Sequence, residues 1–175
     1  MTTPQIILWV GAAVLLFWAI GAYNRLVQLR GAIVRQFVPV ESQLTERQAL
    51  LMQQLDALAP VLLNATPRLD ALRAACQQCS AACTHAKVRP GAAGAITSLR
   101  LADEILGDAR ARLPVQSVAG IDLSDLNAQL AAADTTLAFA RRQFNAAVIE
   151  YNEAVRQFPT LLIVGLFGFR AAGTF

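Results

Sequence analysis

Apolar residues in this chain follow two patterns. Residues 6–23, IILWVGAAVLLFWAIGAY, form an unbroken apolar run, and none of the 27 Asp, Glu, Lys and Arg residues precedes Arg25. A helix of that length, at about 1.5 Å per residue, crosses most of a hydrocarbon core roughly 30 Å thick while satisfying its own backbone groups. Trp9, Trp18 and Tyr23 lie toward the ends of the run, where amphipathic rings favour the headgroup level. The head, Met-Thr-Thr-Pro-Gln, lacks the basic residues of a cleaved signal peptide, so the run reads as a retained anchor.

Beyond Tyr23 the apolar positions recur at threes and fours, the helical period. From Asn24 to Leu58 the seam is Leu26, Ile33, Phe37, Val40, Leu44, Leu51, Leu55 and Leu58, with Pro39 expected to bend the helix rather than end it. Ala59-Pro60 marks a break. A second helix starts near Pro60 or at Pro67, capped by Thr66, and runs through Leu62, Ala65, Leu69, Leu72, Cys76, Cys79, Cys83 and Ala86 to a turn at Pro90-Gly91. A third covers Ala92 to Arg112 through Ile96, Leu99, Ala102, Leu106 and Ala109, and a loop with Pro114 follows. The fourth, capped by Asp122, carries Leu126, Leu130, Ala133, Leu137, Ala140, Phe144, Ala147, Tyr151, Ala154 and Phe158 at a heptad-like spacing. It is about as long as the stretch from Asn24 to Leu58, roughly 54 Å. Packed antiparallel, the two rods bring Phe158-Pro159 back beside Tyr23. The expected fold is all-α: an N-terminal transmembrane helix continuing into an antiparallel helical bundle with two long helices. Three parts follow: residues 1–23 as anchor, 24–158 as bundle, 159–175 as a hydrophobic C-terminal segment. That last segment, containing TLLIVGLFGF and Arg170, is too short to span a bilayer. It is expected at the membrane interface, the alternatives being a tail tucked against the bundle or packed between protomers.

Composition narrows the function classes. The net charge of +3 comes from scattered arginine with one lysine, Lys87. No basic patch with interleaved aromatics is present, which argues against nucleic acid. Arg25, Arg30 and Arg35 precede the first acid, Glu41, placing the bundle on the cytoplasmic side with the N-terminus out. Three cysteines suit a reducing compartment. Cys76, Cys79 and Cys83 share a helix face, but His85 points away, and the cysteines take seam positions, so core packing is favoured over zinc or redox sensing. Most of the carboxylates, a set that includes Asp103 and Asp134, fit caps or solvated helix faces. No nucleophile with a nearby base and no phosphate loop is found, and no enzyme activity, cofactor or metal is expected. Asn145 and Asn152, seven apart, form a polar stripe suited to bonding a neighbouring element.

YNRLVQLR at Tyr23–Arg30, directly after a transmembrane helix, resembles the opening of LemA family proteins. Leu137–Phe169, LAFARRQFNAAVIEYNEAVRQFPTLLIVGLFGF, resembles the family's most characteristic stretch through Arg141, Arg142, Phe144, Asn145, Tyr151, Asn152, Phe158, Pro159, Gly165, Phe167, Gly168 and Phe169. The middle departs from the family pattern, with Phe37, Pro39 and Glu41-Ser-Gln-Leu44 where a tryptophan and an Asp-Val-Gln-Leu-like stretch usually stand, so the chain resembles a divergent member. The resemblance implies a bundle anchored in the bacterial inner membrane by one N-terminal crossing, with no established enzymatic activity. Membrane or partner contacts are expected at Tyr23, Asn24, Arg25, Arg30, Phe158, Phe167, Phe169 and Arg170. The family signature is Arg141, Arg142, Asn145, Tyr151, Asn152, Pro159, Gly165 and Gly168. The expected partners are membrane lipid and further copies of the chain or other membrane proteins, with no small-molecule substrate. The function reads as a self-associating interaction protein, the alternative being a thiol- or metal-responsive sensor at the cysteines.

Overall fold

The computed structural model describes residues 3–60, 66–113 and 122–175, and these are all-helical apart from turns and the C-terminal tail. Five helices follow in order: α1 (Thr3–Leu58), α2 (Thr66–Val88), α3 (Ala93–Ala111), α4 (Ser124–Arg156) and α5 (Thr160–Phe167). Leu62, Ala65 and Pro114 lie outside the described residues, as does the Thr66 side chain on which the expected cap rests.

The apolar run and the first seam form one rod. The 56 residues of α1 reach about 84 Å, and the helix continues through Pro39 as a single element. Pro39 is exposed, so its ring meets solvent rather than a packed neighbour. Among the described residues α1 is the one helix long and apolar enough to cross a membrane, and none of its apolar window is buried against the rest of the chain.

The second half of α1 packs along α4, while α2 pairs with α3 and leans on α1. All eight seam positions of α1 from Leu26 to Leu58 are buried. They face Leu130, Leu137, Ala140, Phe144, Val148 and Tyr151 of α4 within one continuous core. Two contacts fix the direction. The Phe37 and Phe144 rings lie 5.7 Å apart edge to face, and Gln54 Nε2 donates to Asn127 Oδ1 at 3.1 Å. In both pairs the residue numbers add to 181, the signature of an antiparallel pair in constant register, which sets Tyr23 level with Phe158.

The seam of α4 differs from expectation at its end. Phe158 is 81 % exposed because α4 stops at Arg156. The ring of Pro159 disfavours helical backbone at the residue before it, and the chain turns there into α5.

Candidate membrane-proximal site

Where α5 returns to the base of the bundle, Tyr23 becomes a meeting point. Its ring lies 5.0 Å from that of Phe167 and 5.8 Å from that of Phe169. Ile163 is the buried anchor of α5, whereas Leu161, Leu162, Leu166 and Phe167 stay more than half exposed. Asn24, Arg25, Arg30 and Arg170 are exposed around this end. Thus Tyr23, Phe167 and Phe169 come together, and Phe158 stands clear of them in solvent.

Gly168 ends α5 in the left-handed conformation, φ 67°, which a glycine adopts without steric cost. The chain then doubles back along α4 as a tail. Tyr151 donates its hydroxyl hydrogen to Arg170 O at 3.0 Å. Asn152 holds the peptide of Ala172 from both sides, donating to its carbonyl at 2.9 Å and accepting from its N–H at 2.8 Å. Asn145 does the same at Phe175, at 2.7 and 2.8 Å. The spacing is commensurate: seven helical residues rise about 10.5 Å and three extended residues about 10 Å. The Arg141 guanidinium sits 4.2 Å above the Phe175 ring, a cation–π arrangement. A Cβ on Gly173 would come within 2.7 Å of the Ala93 Cα, so the tail is seated between α4 and the start of α3 with no room for a side chain there. The segment 159–175 therefore has two halves, an exposed apolar helix and a tail tucked against the bundle.

Arg141 also has an unexpected second role. It donates to Asp103 at 2.5 Å, and Arg47 of α1 pairs with the other oxygen of the same carboxylate. Arg110 holds Asp134 at 2.6 Å, with Arg47 3.5 Å from it. Asp103 is thus not on a solvated face: its side chain is 12 % exposed, as is that of Arg47. The signal for this cluster was a gap. The α1 seam passes from Leu44 to Leu51 with no apolar residue at the intervening step, where Arg47 stands, and Asp103, Asp134 and Arg141 each follow an alanine. Burial works against the Arg47 charge, and the Asp103 carboxylate outweighs it, raising the guanidinium above its ordinary value.

The remaining residues divide as follows. Cys76, Cys79 and Cys83 are buried and free. Burial pushes the Cys76 and Cys83 thiols up to about 11 and raises Cys79 as well, with Asp103 adding to it. His85 and Arg142 are exposed. Among the described residues no group of three or more His, Cys, Asp and Glu is arranged to hold a metal. Pro159 stands at the turn between α4 and α5, and Gly165 has open space where a side chain would be.

A helical bundle on one long apolar rod, its C-terminal segment folded back to the base of that rod, fits the class of membrane-associated helical proteins. The LemA family model matches residues 118–175 and supports assignment of the chain to the LemA family. Those residues hold α4, α5 and the tail. The resemblance at Tyr23–Arg30 lies outside them. No curated protein matches the chain.

Proposed function

We propose that this is a single-pass, non-catalytic interaction protein that stands its bundle off the cytoplasmic face of a bacterial inner membrane and associates with copies of itself. The observation that carries the reading is the base of α1. No residue of its apolar window is buried inside the bundle, and the exposed apolar side chains of α5 gather beside the end of that window at Tyr23. Lipid covers both surfaces in one stroke, whereas water would leave a large apolar patch. Arg25, Arg30 and Arg35 on the bundle side favour a cytoplasmic bundle.

Self-association is supported by the outer face of α4. Phe139 and Ile149 are 59 % and 51 % exposed there, beside the exposed small residues Ala131, Ala132 and Ala146, which permit close helix approach. A cysteine placed at Ala146 in the full chain tests this, with bis-maleimide crosslinking in native membranes. Dimers or larger species are expected. Monomer alone at every density, matched by a monomeric mass in mild detergent, overturns it.

A further inference from the structure

Basic side chains without acidic partners in a cavity wall point to an anion. The turn between α2 and α3 sits against the first bundle turns of α1 and against the start of the tail, and these three elements, with Tyr151 of α4, line a cavity of about 530 Å³ that is open to the surface. Each contributes one arginine to the wall: Arg30 from α1, Arg89 from the turn, Arg170 from the tail. Among the described residues no carboxylate lines the cavity, and these three arginines take part in none of the ion pairs formed among those residues. The mid-bundle arginines Arg47, Arg110 and Arg141 all meet an aspartate, whereas this wall counts three arginines and no acidic residue.

The rest of the wall suits a phosphate. Ala93 and Gly94, which open α3, belong to it. Ala92 caps that helix with no side-chain bond, and no acid occupies the first turn, so the first N–H groups of α3 keep the positive end of the helix unneutralised. Val34 and Val88 add apolar surface to the wall. Arg30 lies seven residues beyond Tyr23, about 10 Å along α1, which is the outer edge of the headgroup layer if the apolar run spans the bilayer.

We propose that this cavity binds a phosphate-bearing anion of the size of a phospholipid headgroup, held by Arg30, Arg89 and Arg170. Guanidinium forks match phosphate oxygens, and the volume falls in the range of small-molecule sites. The binding does not depend on self-association.

The test uses the full chain in a neutral detergent. Phosphatidylglycerol and phosphatidylcholine are titrated and followed by native mass spectrometry, and inorganic pyrophosphate is titrated by thermal shift. The Arg30→Gln, Arg89→Gln, Arg170→Gln triple variant is expected to weaken anion binding at least tenfold. An Arg68→Gln, Arg100→Gln, Arg112→Gln variant of equal charge is expected to retain it. Gly94→Asp guards against misfolding: a side chain there meets nothing within 4 Å, and an acid in the first turn favours the helix. Its expected result is unchanged or raised thermal stability with anion binding reduced about as much as in the triple variant. Preference for phosphatidylglycerol without response to pyrophosphate identifies a headgroup as the source, and response to pyrophosphate identifies a soluble phosphate. Equal binding by all variants, equal loss in both triple variants, or no preference among the probes overturns the proposal.

Discussion

Two asparagines carry an unusual share of the order at the C-terminal end. Each spends both halves of its amide on the N–H and C=O of one tail residue, so Asn152→Ala removes two bonds and leaves two partly buried backbone groups to find water. A loss of about 1–2 kcal/mol is expected, and hydrogen exchange at the Ala172 amide checks it through faster exchange confined to the tail. The asparagine stripe was legible from spacing alone. Its partner was not, because both residues bond to backbone, and backbone groups are the same in every sequence. The cysteines were legible in the opposite sense, their seam positions marking them as core. With thiols held at about 11, the thiolate fraction at pH 8 is about 100-fold below that of an ordinary thiol near 9. Alkylation of the native protein is therefore expected to be slow and to become fast for all three on denaturation, as timed labelling shows. The native state keeps these protons while the unfolded chain loses them. Stability thus falls as pH rises from about 9 to about 11, readable as a declining urea midpoint.

At the level of single helices, most boundaries followed from seams and breakers: Leu58 before Ala59-Pro60, and Ala93–Ala111 inside the expected Ala92–Arg112. The expected cap at Asp122 is displaced by one residue: Leu123 takes the cap position with no side-chain bond, and Asp122, just ahead of it, accepts the Ser124 N–H at 2.9 Å. Pro39 shows where local chemistry yields to packing. Its missing N–H leaves one carbonyl of the preceding turn without a helical partner, yet Phe37 and Val40 on either side are buried in the core and hold the rod together. Pro39→Ala is accordingly expected to stabilise the bundle by about 1–3 kcal/mol, measured as a raised urea midpoint. The end of α4 was missed because a perfect apolar spacing continued to Phe158, and spacing cannot register the steric demand that Pro159 makes on its predecessor.

Across the whole molecule, the arginine–aspartate cluster ties α1, α3 and α4 at mid-height. Asp103→Asn leaves Arg47 and Arg141 without their shared counter-charge in a poorly hydrated setting, and a cost of about 3 kcal/mol is expected in equilibrium unfolding. Gly173→Ala probes the other long-range contact. Its added methyl has backbone in its way, and about 1–3 kcal/mol of destabilisation is expected, seen as a lowered melting temperature. Local pattern marks the cluster only as a polar gap in the seam; which residues pair there, and where Gly173 seats, join positions far apart in the chain and do not follow from it.

The fixed pairing of α1 with α4 yokes their lengths. Deleting one residue from either rod turns everything beyond the cut by about 100° and throws the two seams out of phase. Removing seven from both at the same height returns each seam position nearly to its face and lowers the bundle by about 10 Å. The stand-off of this molecule is thus a stepped dimension, and both rods have to take the step together.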